Sequence, residues 1–264
     1  DDFSWRHKDF LAVFANGNGG PAEQTATSPA IAKNATSVVA TGNGTDAATV
    51  SAESSVGQAP DGRANPSVGA PGQGVVSARS DGLLGSGNSG TMAMSGTSVA
   101  AAVTSGAAAL IRQYFTDGFF PTGSPVATNK LQPSAALLKA VLVNSAEALL
   151  SDDPGDSCPS KRGGWGRPKL INTLFFNGDS HSLEVGDEGA GLETGGVWQR
   201  LYFSPGGKRL KITLAWTDAP AAPGATSPLT NDLNLVVVAP DGTTYLGNDL
   251  NCSHGDYESR TGGS

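Results

Sequence analysis

Cysteine, methionine and histidine are scarce in this chain of 264 residues, which holds two, two and three of them. Cys158 and Cys252 stand far apart, without metal-ligand spacing. A disulfide joining the two halves and a pair of free thiols both fit them. Charge is also sparse, and acidic residues outnumber basic ones by 24 to 17 for a net charge of −7. That balance argues against nucleic acid as a partner. No hydrophobic run approaches the ~18 residues of a membrane span, so no membrane role is expected. The opening residues, Asp1-Asp2-Phe3-Ser4-Trp5-Arg6-His7-Lys8, lack the pattern of a signal peptide. They read as the end of a surface helix, and the chain is expected to begin inside a domain. Glycine and proline are plentiful, at 36 and 16, which describes a loop-rich globular protein and not a disordered one. The length admits one large domain or two smaller ones.

The chain is organised around Met94-Ser95-Gly96-Thr97-Ser98-Val99-Ala100, a glycine-containing loop running into an uncharged helix expected over 98–111. Fourteen residues are too few for a bilayer, so a helix apolar on all sides is expected to be a buried central one. Ser98 falls in its first turn, where unpaired N–H groups and the helix dipole favour negative charge. A nucleophile whose reaction builds an oxyanion suits that place. Helix capping by Thr97 or Ser98 is the plainer reading.

Phe14-Ala15-Asn16-Gly17-Asn18-Gly19-Gly20-Pro21 closes an apolar run over 10–15 that reads as a parallel strand covered on both faces. Chemistry in such folds gathers at the C-terminal ends of strands, which is where Asn18 stands. A turn role for Asn18 competes with a functional one.

Together, these stretches resemble the subtilisin-like serine proteases. Gly96-Thr97-Ser98 with its small-residue helix is similar to the nucleophile motif, and Ala15-Asn16-Gly17-Asn18-Gly19-Gly20 to the oxyanion-asparagine motif. Between them, Asp61-Gly62-Arg63-Ala64-Asn65-Pro66-Ser67-Val68-Gly69-Ala70-Pro71-Gly72 resembles an Asp-Gly-Arg-x-Lys-Pro-Asp-Val-x-Ala-Pro-Gly segment, with Asn65 and Ser67 in place of Lys and Asp. The resemblance implies an α/β fold: a partial subtilisin-like parallel-sheet domain over 1–175, followed by an incomplete, jelly-roll-like β-sandwich over 176–264. It implies Ser98 as nucleophile and Asn18 as oxyanion donor, with Ala15, Asn16 and Gly17 lining one side of the specificity pocket. Val99 and Ala102-Val103 depart from the residues usual after the serine, which a helix start tolerates.

Along the rest of the chain, 37–41 and 75–78 read as strands, and 42–74 as mostly turn and loop. Gly85-Ser86-Gly87-Asn88-Ser89-Gly90 fits the dinucleotide pattern G-x-G-x-x-G, but no strand leads into it and no acidic residue follows at the needed distance. A second helix is expected from Pro133-Ser134 to about Leu150. Leu138, Val141, Leu142, Ser145 and Leu149 share one of its faces, with Lys139 and Glu147 outward. Ser151-Asp152-Asp153-Pro154-Gly155-Asp156 is a polar loop without a complete calcium-ligand pattern, though a structural calcium stays open there.

From residue 176 the texture turns to β. Leu210, Ile212, Leu214 and Trp216 alternate with polar or small residues, as do Leu233, Leu235 and Val237. Pro240-Asp241-Gly242 is a turn before Thr243-Thr244-Tyr245-Leu246. About five strands are legible, against the eight of a jelly roll. The triplets Asn34-Ala35-Thr36, Asn43-Gly44-Thr45 and Asn251-Cys252-Ser253 permit glycosylation of a secreted protein.

Only His7 among the histidines precedes Ser98, and it sits in a charged helical stretch. A subtilisin-type triad runs Asp, His, Ser along the chain. The expectation is a serine endopeptidase acting on polypeptides without a required cofactor, in an extracellular or secretory compartment. Its base and orienting acid would lie upstream, leaving the chain by itself inactive. The alternative is a protease-like scaffold carrying a β-sandwich that binds a partner.

Overall fold

The computed structural model describes every residue except 151–158, 205–206, 208, 252–257 and 262–264. The polar 151–156 loop and both cysteines lie outside the described residues. A short helix α1 (Asp2–Arg6) leads to strand β1 (Val13–Ala15), the only part of the apolar run over 10–15 that joins a ladder. Phe10 is instead half exposed, stacked edge-on against Phe3.

β1, β2 (Thr36–Thr41) and β3 (Val68–Pro71) form a parallel sheet with β2 in the middle. All six residues of β2 are buried, as a strand flanked on both edges and covered by a helix must be. β3 corrects the reading of 42–74 as turn and loop. It is four residues long and carries Gly69 and Pro71, so nothing local marks it. Its pairing of Val68, Gly69 and Ala70 with Val38, Val39 and Ala40 is what makes it a strand.

The strand expected over 75–78 forms, as β4 (Val75–Ala78), but it leaves the parallel sheet and pairs antiparallel with β5 (Thr91–Met94). The G-x-G-x-x-G run lies in the loop of that hairpin, where Gly90 N–H donates to Asn88 Oδ1 at 2.9 Å.

β5 feeds the central helix α2 (Thr97–Thr116), longer than expected by a residue at its start and five at its end. Ala100 packs on Val38, Ala40, Val68 and Ala70 of the sheet. Further along, Ala108, Ile111, Tyr114 and Phe115 form a second cluster with Leu137, Leu138, Val141, Leu142 and Leu174. The expectation of burial on all sides fails among the described residues. One face is buried, while Val103 and Leu110 are 38% and 58% exposed on the other.

Helix α3 (Ala135–Asn144) starts as expected, with Ser134 Oγ accepting from Leu137 N–H at 3.0 Å. It ends earlier than Leu150, because the residues after Ser145 leave the helix to pair as a strand; the Asn144 side-chain amide donates to Lys211 O and Thr213 Oγ1, and Thr173 Oγ1 donates to it. β6 (Ala146–Glu147) then pairs antiparallel with β7 (Arg167–Pro168). Lys139 does not point outward. Its ammonium turns in and donates to the carbonyls of Ala35 (2.8 Å) and Lys33 (3.3 Å).

After residue 172 the next ladder is an antiparallel sheet of β8 (Val236–Val238), β9 (Thr244–Asn251) and β10 (Glu258–Thr261). The turn at Pro240-Asp241-Gly242 closes β8–β9, with Gly242 N–H donating to Ala239 O at 2.9 Å. No second sheet faces this one among the described residues, and the alternating segment around 210–216 makes no ladder there. That segment packs along the earlier part of the chain instead. Lys211 donates to Ala146 O, and Asp218 closes a buried cluster with Lys33 and Asn34.

Candidate active site

The site is built where β1 ends beside the start of α2. α2 packs against β1 and the rest of the sheet, so the loop after Ala15 meets the first turn of the helix. Gly96 lets the chain turn there. It has φ 131°, a value that side chains disfavour, and a Cβ on it would stand 3.4 Å from Asn18 Nδ2. Its N–H donates to Gly72 O at 2.8 Å, which ties the helix start to the end of β3.

Thr97 is fully buried and joins the two motifs. Its N–H and its hydroxyl both donate to Asn18 Oδ1 at 2.9 Å. A main-chain N–H can only donate, so the Asn18 end that meets Thr97 must be the carbonyl oxygen. The amide nitrogen is thereby turned away, and it has no hydrogen-bond partner among the described residues. Thr97 Oγ1 also accepts from Gly17 N–H at 3.3 Å. Ser98, next along the helix, is exposed, as is Asn18. Its side chain shares a face with Ala102, Ser105 and Ala109, the solvent side of α2.

Ala15 and Gly17 are half-buried at the end of β1. Asn16 between them is 1% exposed and turns the other way, as alternation along an extended chain requires. Its amide donates to Ser55 O and accepts from Asn65 Nδ2, each at 2.7 Å. Ser55 in turn donates its N–H to Gly17 O (2.8 Å) and accepts from Gly19 N–H on its hydroxyl (3.1 Å).

Every side chain in this network is neutral, so its geometry does not depend on pH. Neither described histidine is bonded to Ser98. His7 stacks on Phe3 with 4.4 Å between ring centroids, and His181 lies at the Leu174 carbonyl. No cluster of potential metal ligands occurs among the described residues.

Residues 1–166 match the subtilase family, Peptidase_S8. The chain belongs to the subtilases. Its curated relatives include two proteins of Dictyostelium discoideum named serine protease/ABC transporter B family proteins, tagB and tagA. tagB is 32% identical over 73% of this chain and 13% of its own length; tagA is 36% identical over 74% and 12%. The subtilase chain thus spans about an eighth of the relatives it matches. Among solved structures, the S41 psychrophilic protease is similar at 23% identity and a TM-score of 0.47, covering 64% of this chain and 50% of that one. No described helix of the subtilase is long and apolar enough to cross a membrane.

Sequence reasoning singled out Ser98 and Asn18 and missed the roles of Thr97, Ser55 and Asn65. Thr97 had a local signal in its place before the serine. Asn65 had one in its departure from the middle motif, and Ser55 had none.

Proposed function

We propose that the whole protein is a serine endopeptidase of polypeptide substrates, with Ser98 as its nucleophile. Ser98 Oγ would attack the peptide carbonyl as a histidine takes its proton. The C–N bond then breaks as the histidine passes that proton to the leaving amine, and water hydrolyses the acyl-enzyme left on Ser98. The developing oxyanion would be held by the Ser98 N–H and by Asn18 Nδ2. Ala15 and Gly17 would line one wall of the specificity pocket, with Asn16 contributing its main chain alone. The observation that carries this reading is the clamp of Thr97 on Asn18 Oδ1. It turns the free amide donor outward beside the helix turn that bears Ser98.

The test is made in the full-length protein. It should cleave a denatured polypeptide, react with a fluorophosphonate at Ser98, and lose both properties in Ser98→Ala beyond residual binding effects. Labelling at another serine, or a Ser98→Ala variant that keeps most of its rate, overturns the assignment.

For location, we propose the lumen of the secretory pathway or the exterior. Asn43 supports this, because its side chain is exposed at the start of a single helical turn over Gly44–Asp46. The Asn34 triplet does not count toward it. Asn34 is 8% exposed, with its amide bonded to both main-chain groups of Asp218. Protein secreted from eukaryotic cells should lose a glycan with Asn43→Gln and lose none with Asn34→Gln. Absence of any glycan at Asn43 in secreted material counts against the proposal.

A further inference from the structure

We propose that Asn16 and Asn65 form a buried amide pair that positions Asn18 for oxyanion binding; the inference rests on the peptidase reading above. The pair lies behind the site, 1% and 5% exposed, with Asn65 Nδ2 donating to Asn16 Oδ1 at 2.7 Å. The other end of the Asn16 amide donates to Ser55 O at 2.7 Å, and its main-chain N–H extends the β1–β2 ladder to Val38 O at 2.9 Å. The Asn16 amide, buried with both ends bonded, is held rigidly, because any rotation leaves a desolvated polar group unpaired, and Asn65 Nδ2 is further anchored on Gly57 O at 3.4 Å.

Ser55 carries that rigidity to the loop. It accepts from Asn16 on its carbonyl, donates to Gly17 O through its N–H, and accepts from Gly19 N–H on its hydroxyl. Residues 16, 17 and 19 are therefore all referenced to one residue, and Asn18 stands between them. Space is tight as well as bonded. A Cβ at Gly17 would come within 2.6 Å of Ser55 Oγ, so no larger residue fits beside Ser55 without a shift.

Thr97 fixes the Asn18 carbonyl from the front, while the amide pair fixes the main chain from behind. Asn65 is also one of the two positions that depart from the middle motif. The other, Ser67, likewise meets a partner through its side chain, since its hydroxyl accepts from Ser37 N–H at 3.2 Å and lies 3.2 Å from Ser37 Oγ. Both departing side chains thus find hydrogen-bond partners distant in sequence.

The test uses the full-length protein with Asn16→Ala, Asn65→Ala and the double variant, each assayed for kcat, KM and melting temperature. Displacing a reacting group by about an ångström costs up to about 10²-fold, so a loosened loop should cost each single variant about tenfold in kcat. KM should stay within about twofold, because only a transition-state contact is weakened. The singles should also melt lower, each leaving a buried amide short of one bond, and the double variant should regain part of that loss. The kcat deficit should persist in the double variant. A double variant that recovers kcat together with stability overturns the inference, because the pair would then serve packing alone. Single variants with unchanged kcat overturn it too, and in both cases the Ser98 assignment stands. A wild-type protein without serine-dependent cleavage overturns the peptidase reading, and this inference with it.

Discussion

Asn18 separates two roles at the level of one side chain. Asn18→Leu removes the outward donor and the Thr97 acceptor while sparing the strand. A loss of about 10² to 10³ in kcat is expected with KM little changed, the magnitude known for such a donor in a subtilisin-type site. Asn18→Gly is the sharper variant, since glycine accepts any backbone angle a turn asparagine adopts. An oxyanion donor predicts that both variants are equally damaged, and a turn residue predicts a nearly normal glycine variant. Steady-state kinetics on the two variants of the full-length protein decide it. Thr97 adds to the case, because a turn asparagine has no need of two donors on its side-chain oxygen.

Between elements, Lys139 is the informative contact. It projects from α3 onto the carbonyls that lead into β2, so one ammonium ties a helix to the central strand. Burial, and then the nearby Arg63 charge, lower its pKa from 10.5 to about 8. The neighbouring Lys33 ammonium is paired with Asp218, with 2.6 Å between them. The sign follows from proton counting. Between about 8 and 10.5 the unfolded chain holds a proton on this lysine that the folded chain has released. Stability should therefore rise with pH across that window. Lys139→Met should remove this increment, which the difference between the two proteins' urea-denaturation free energies at pH 7.5 and 10 would show. Parallel pH dependence in the two proteins would contradict it.

At the scale of the molecule, the Lys33–Asp218 pair joins the segment around Asp218 to the residues that lead into the parallel sheet. Both side chains are 3% exposed, and Asp218 also accepts from the N–H groups of Thr230 and Asn231. Burial by itself would raise the Asp218 carboxyl, but the bonds from Lys33, Thr230 and Asn231 hold it below its usual 3.8. Its contribution is present above that usual value and is lost as pH falls through the lower folded one. Asp218→Ala leaves a buried lysine without its counter-charge, a change that costs about 3–5 kcal/mol. The variant should melt lower and expose residues 211–219 to hydrogen exchange, while the β1–β2 ladder keeps its protection. Unaltered exchange over 211–219 would show that the pair does not hold this segment.

The sequence by itself determined what adjacent residues decide. The small-residue run placed α2 and the serine at its first turn. The apolar run ending in Asn16-Gly17-Asn18 placed the strand end, and Pro240-Asp241-Gly242 placed the β8–β9 turn. Local propensity and steric freedom suffice for those features, so they are legible without partners. Tertiary structure alone decided the rest. Val68–Pro71 is a strand because β2 lies beside it. Lys139 turns inward because two carbonyls wait there, and Asn34 is buried because Asp218, 184 residues away, covers it. Asn16 and Asn65, 49 residues apart, each look like turn-forming residues until folding removes water from both amides. The fate of a polar side chain depends on whether a partner replaces its water, and that partner comes from distant chain.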